Sequence, residues 1–136
     1  PETAAANDAM NHVWLDQGPT DELAKIVAGI IIDDSNHSPS WIGKWKERDK
    51  QSFMEPYQCL RTRDDITERL GEILCPALVV HGTEDTAITM DRAELLAAGL
   101  RGAGDVVRVG GAHAANLTNP EPVNAAIMAF LDELAA

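Results

Sequence analysis

A chain of 136 residues, 45% hydrophobic and 24% charged, has the size and composition of one ordinary globular domain or of a piece of a larger one. Eleven basic residues against 22 acidic ones leave a net charge of −11, which argues against nucleic acid or an anionic membrane surface as partner. Cys59 and Cys75 stand alone, without CxxC or metal-ligand spacing. That argues against a disulfide framework or a zinc site and for a reduced, cytoplasmic setting, and no two histidines have the i, i+4 or strand-mate spacing of a metal site.

The longest apolar run, Ile26 to Ile32, is interrupted by Gly29 and is far too short to span a bilayer. No signal-peptide pattern is visible. The chain opens on Pro1 with no Met, as a segment of a longer polypeptide would. Seven of the eleven basic residues fall between Lys44 and Arg69 among six acids, so that stretch is near neutral. Lys44-Trp45-Lys46-Glu47-Arg48-Asp49-Lys50 reads as a solvated helix face rather than a binding patch.

In chain order, the part before about residue 60 predicts helices and loops, with no strand signal and no repeat. From Asp21 to Asp33 the apolar positions Leu23, Ile26, Val27, Ile30 and Ile31 follow the i, i+3, i+4, i+7, i+8 stripe of an amphipathic helix. Ser38-Pro39-Ser40 opens a second helix with Trp41 and Trp45 on one face, and a third runs from about Phe53 to Arg61. His12 and His37 fall in loop or helix-end contexts. From Asp64 to Ile73 a short helix or turn places Ile66, Leu70 and Ile73 on one side.

Alternation follows. Ala77-Leu78-Val79-Val80 predicts a strand buried on both faces, Thr89 to Leu100 a helix ended by Gly102, and Val106-Val107-Arg108-Val109 a second strand, near the sheet edge on account of Arg108. Asn119-Pro120 starts a last helix, with Asn119 as N-cap and an apolar face of Val123, Ile127, Phe130, Leu131 and Leu134. Strand, helix, strand, helix implies parallel neighbours, with both carboxyl ends on one rim of the sheet.

Two motifs sit on that rim, Val79-Val80-His81-Gly82-Thr83-Glu84-Asp85 and Gly110-Gly111-Ala112-His113. Neighbouring strands about 4.8 Å apart would let Asp85 and His113 meet. A carboxylate behind an imidazole fixes its tautomer and stabilises the imidazolium, which is two-thirds of a nucleophile–base–acid triad. Asp85 could instead form an Asx-turn or cap the helix near Thr86, and His113 could be a loop histidine bonded to backbone. Glu84 is expected to face solvent, and His81 to be packed within the strand. No nucleophile completes the set. Ser35, Ser38, Ser40 and Ser52 lack a strand-to-helix Gly elbow, and Cys59 and Cys75 lack adjacent Gly and helix-start context. Trp14, Trp41, Trp45 and Phe53, with Met54 and Tyr57, either line an apolar substrate pocket or form the core of the helical half.

From about Asp64 to Leu134 the chain resembles the C-terminal part of an α/β-hydrolase. The residues that match are Leu70, Ile73, Pro76, Leu78, Val79, Val80, Gly82 and Asp85, then His113, Asn116, Pro120, Val123, Asn124, Ile127, Phe130 and Leu131. The order acid then histidine is the one this family uses. The resemblance implies a helical cap over residues 1–63 and a β-α-β-α part of the hydrolase core over 64–136. It implies Asp85 and His113 as catalytic acid and base, a small acyl substrate and no cofactor. Ala112 before His113 is similar to 3-oxoadipate enol-lactonases and related esterases, while dehalogenases and haloperoxidases share both motifs. The family's oxyanion loop and Gly-x-Ser-x-Gly elbow would precede Pro1. Two strands leave a naked sheet edge, so the expected partner is the N-terminal half of the same enzyme or a second copy of this chain. The alternative is a non-catalytic hydrolase-derived fragment or small-molecule binding module.

Overall fold

In a computed structural model describing residues 2–135, the chain divides into two compact units, Pro1–Gly29 with Ser35–Asp64 and Ile30–Asp34 with Asp65–Ala136. Pro1 itself lies outside the described residues. The first unit is built from α1 (Glu2–Gln17), α2 (Asp21–Ile31, whose last two residues join the second unit), α3 (Ser38–Glu47) and α4 (Met54–Thr62). A 3-10 turn, Lys50–Phe53, leads into α4. α2 starts where Thr20 Oγ1 accepts the Leu23 amide, with Asp21 and Glu22 complementing the helix dipole in the first turn. Pro39 sits at the start of α3, where its missing N–H costs nothing.

Two helical expectations change. His12 lies inside α1 rather than in a loop or at a helix end, and its Nδ1 meets the Asp8 carbonyl at 2.7 Å. In α2 the buried face is Leu23, Ala24 and Ala28, while Ile26 is exposed. The larger side chain caught the apolar stripe, but small alanines make the close contact. The basic run of α3 is tied down as well as solvated. Lys46 pairs with Asp21, Lys50 Nζ donates to the Asp16 carbonyl, and Lys44 Nζ lies 4.3 Å from the Trp41 ring centre.

The second unit holds β1 (Val80–Gly82), α5 (Met90–Gly99), β2 (Val107–Val109), α6 (Ala115–Thr118) and α7 (Pro120–Ala135). β1 and β2 are parallel, pairing Val80 with Val107, His81 with Arg108 and Gly82 with Val109. A bridge from Ala77 to Ala103 and the Val107 amide on the Val79 carbonyl (2.9 Å) extend the contact backwards. The regular strand therefore begins at Val80, three residues later than the apolar run predicts. Alternate side chains serve opposite faces. Val79 packs with Ala93 and Ala97 of α5, whereas Val80 and Val107 pack with Val109, Ala115 and Val123 on the other side. Between Asp64 and Ile73 the chain forms a 3-10 turn, Thr67–Glu72, in which Leu70 is buried while Ile66 and Ile73 flank it in non-helical backbone and are exposed. On α7 only Val123 is buried; Ile127, Leu131 and Leu134 are exposed.

Candidate active site

The site is built from the two loops that leave β1 and β2 at their carboxyl ends. The ladder continues past the strands, with the Thr83 amide on the Val109 carbonyl at 2.8 Å and the Glu84 amide on the Gly111 carbonyl at 3.0 Å. Gly111 returns a bond from its own amide to Glu84 Oε2, and Thr83 Oγ1 donates to Glu84 Oε1 at 2.7 Å. These bonds hold the Glu84 carboxyl below its usual range, with Thr83 the larger cause. Glu84 is exposed as expected, but it does not simply face solvent: it staples the two loops together. No spacing rule marks a loop carboxylate for that work, which is why the sequence does not single it out.

Close approach of the loops explains the glycines. A Cβ on Gly82 would sit against the carbonyl oxygens of Gly111 and Ala112, so only hydrogen fits there. Gly111 has φ +122°, a conformation that L side chains rarely adopt. Beyond it, the Ala114 amide donates to the Ile31 carbonyl at 2.8 Å. The Asn119 side chain donates to the Gly110 carbonyl at 3.0 Å. Asn119 thus ties the start of α7 to the loop that carries His113.

That framework brings Asp85 and His113 together. His113 Nδ1 lies 2.8 Å from Asp85 Oδ2. Asp85 Oδ1 meanwhile accepts the amides of Ala87 (2.8 Å) and Ile88 (2.9 Å). The Asx-turn and the imidazole partnership coexist, one on each oxygen. The Asp85 side chain is 4% exposed, against 42% for His113. Burial is the largest influence on the Asp85 carboxyl and pushes its pKa up. The Ile88 amide, His113 and the Ala87 amide together outweigh it, and the net shift is downward. With Asp85 accepting at Nδ1, the imidazole carries its proton there and presents a lone pair on Nε2. Such a group can take a proton from a nucleophile placed within about 2.6–3.2 Å.

His81 packs on the other side of the carboxylate, its Nε2 3.5 Å from Asp85 Oδ2 and its Nδ1 2.8 Å from the Gly82 carbonyl. Its Nε2 is buried without a hydrogen-bond partner among the described residues. A recess of about 650 Å³ in this unit is lined by Val80, His81, Asp85, Val109, His113 and Phe130, among others. The second unit contains no serine, and Ser35, Ser38, Ser40 and Ser52 all belong to the first. Among the described residues no cluster of His, Cys, Asp and Glu could hold a metal, and no helix is long and apolar enough to cross a membrane.

The aromatic candidates gather in the first unit. Trp14 packs edge-on against Trp45 (ring centres 5.8 Å apart) and Phe53 (5.1 Å), and Trp41 lies 6.5 Å from Trp45 at a tilt. Trp14 and Tyr57 are buried, while Trp41, Trp45 and Phe53 are half-buried.

No family model matches the chain. Over 67 residues, 49% of this chain, it is 40% identical to a putative carbamate hydrolase, RutD, from Rhizobium rhizogenes, and it spans 26% of that protein's length. Among solved structures, a hydrolase from Pseudomonas aeruginosa superposes with a TM-score of 0.81 at 22% identity. That match covers 94% of this chain and 50% of the hydrolase.

Proposed function

Since the chain is α/β-hydrolase-like in sequence and in fold, we propose that it supplies the acid and base of a Ser-His-Asp triad in a hydrolase of esters, lactones or similar small acyl substrates. The observation that carries this reading is the 2.8 Å contact of His113 Nδ1 with a buried Asp85 whose other oxygen is held by two amides. A serine outside these 136 residues attacks the acyl carbon and gives its proton to His113 Nε2. His113 returns that proton to the leaving oxygen or nitrogen, and the acyl-serine is then cleared by water in the same way. Asp85 stabilises the imidazolium throughout, and backbone amides outside the chain hold the oxyanion. The relative's activity, as named, extends the substrate range to carbamates, whose carbonyl carbon is attacked by the same route.

In this reading residues 1–63 act as a cap whose Trp14, Trp41, Trp45 and Phe53 contact the apolar part of the substrate. The second unit completes its two-stranded sheet with strands from the N-terminal half of the enzyme or from a second copy. Two free, exposed cysteines support a reducing, cytoplasmic setting. The decisive experiment expresses the chain together with the coding sequence immediately upstream of Pro1 and applies a fluorophosphonate probe. A labelled serine, with labelling lost in His113→Ala, is the expected result. Absence of labelling would leave the non-catalytic alternative, a hydrolase-derived binding module. The chain by itself should hydrolyse p-nitrophenyl acetate no faster than free imidazole does.

A further inference from the structure

Asp85 Oδ2 stands between two imidazoles, with His113 Nδ1 at 2.8 Å and His81 Nε2 at 3.5 Å. The Asp85 side chain is 4% exposed and that of His81 10%, so little water lies between their charges to screen them. The other ring nitrogen of His81 fixes its tautomer. Nδ1 lies 2.8 Å from the Gly82 carbonyl, which can only accept, so Nδ1 carries a proton and donates it there. Neutral His81 therefore turns a lone pair toward the carboxylate, and its Nε2 is left without a hydrogen-bond partner among the described residues. Two sets of lone pairs gain nothing from each other. An imidazolium would: the added proton goes between two atoms that already face each other, needs no cavity, and a small turn of the ring brings a charge-assisted bond into range. The other charged groups near His81 are Arg108, at the matching register position of β2, and Glu94 of α5, and they are paired with each other. Asp85 is thus the charge that His81 answers to.

We propose that His81 is a positioning residue for Asp85 and His113, and that its proton decides how fully the carboxylate serves the base. Neutral, His81 offers Asp85 no proton and leaves Oδ2 to His113. Protonated, it donates to the same oxygen from the other side and weakens the bond to His113 Nδ1–H. The two imidazoles then share one carboxylate, so each proton taken up by one is opposed by the other. The inference rests on the hydrolase reading only for calling His113 the base; the competition for Oδ2 stands on the geometry of the chain itself.

The test uses the full chain and two substitutions. In His81→Asn the short amide can keep the bond to the Gly82 carbonyl but places no atom at the Nε2 position. In His81→Gln the longer amide holds an uncharged N–H donor there permanently. The Nδ1–H proton of His113 should resonate upfield in His81→Gln relative to the parent, and nitrogen shifts of His113 followed against pH should show two coupled inflections in the parent and one in His81→Asn. In the enzyme completed with its serine, His81→Gln should slow fluorophosphonate labelling about tenfold relative to His81→Asn, the worth of one neutral hydrogen bond drawn away from the base. A single inflection in the parent, or a His113 Nδ1–H resonance unmoved in His81→Gln, overturns the proposal. Where either variant fails to fold, the parent titration decides, because its second inflection must appear on the His81 nitrogens at the same pH. The NMR experiments need no serine, so a failure to label the parent would count against the hydrolase reading alone.

Discussion

Asp85 has two oxygens and uses them differently, and this decides what its substitution should do. In Asp85→Asn the remaining carbonyl oxygen can still accept the amides of Ala87 and Ile88, so the turn should survive. The new NH₂ would then face His113 Nδ1 and force the imidazole proton to Nε2, the wrong tautomer for a base. Nitrogen chemical shifts of His113 report this directly: protonated Nδ1 in the parent, protonated Nε2 in the variant. Serine labelling in the assembled enzyme should fall by about 10⁴-fold. Acid stability follows from the same carboxylate. Its folded pKa lies below the unfolded one, so its contribution is complete above the unfolded value of about 3.9 and is lost as pH falls through the lower folded value. Urea midpoints should therefore drop in that window for the parent and much less for Asp85→Asn. Parallel loss in both proteins would show that Asp85 is not the responsible group. The sequence made Asp85 and His113 legible because each follows an apolar run and a glycine. It hid Glu84's bond to Gly111, because nothing in a Thr-Glu-Asp loop distinguishes the acid that faces the site from the one that reaches back to the neighbouring loop.

Gly82 shows how the strands deliver these residues. The apolar run Ala77–Val80 marks where side chains are buried, but pairing continues into His81 and Gly82, which carry no hydrophobic signal. Strand order and direction were legible from the alternation of runs. The register was not, because it is set by backbone hydrogen bonds and by how near Gly111 can come. Gly82→Ala should lower stability by about 1–3 kcal/mol, since the added methyl meets two carbonyl oxygens and one loop must move. The same shift should abolish the hydrogen bond seen in the His113 Nδ1–H resonance. Gly29→Ala is the contrasting case. Gly29 lies within α2 with nothing near its Cβ position, so alanine there should raise stability by about 0.5–1 kcal/mol through backbone entropy alone. Urea titration of the two variants tests whether close packing or glycine itself matters at Gly82. The last helix starts at Pro120, as the Asn-Pro pair predicts, and of its apolar face Val123 is buried, Phe130 half-buried and the rest exposed.

At the scale of the molecule, that uncovered face and the two-stranded sheet point the same way. A sheet of two short strands has no independent stability of its own and leans on the helices packed against it. Ile127 and Leu131, which line the recess beside Val80, are exposed on α7 with Leu134 further along. The Pseudomonas hydrolase that this chain matches over 94% of its length is twice as long, so half of that fold has no counterpart among these residues. An apolar stripe of this kind lowers its free energy by finding cover, at roughly 25 cal/mol for each Å² removed from water. Solution scattering across a concentration series should therefore give a mass above that of one chain, approaching a dimer at high concentration. Leu131→Glu should weaken that association while leaving Asp85 and His113 in contact, because Leu131 takes no part in the hydrogen bonds that join the loops. Adding a polypeptide that supplies the missing strands of such a sheet should compete with self-association and convert the mixture to one defined complex. A concentration-independent monomer that melts as cooperatively as an intact domain would refute the requirement for a partner, and would mean that the α7 face is stable against water as it stands.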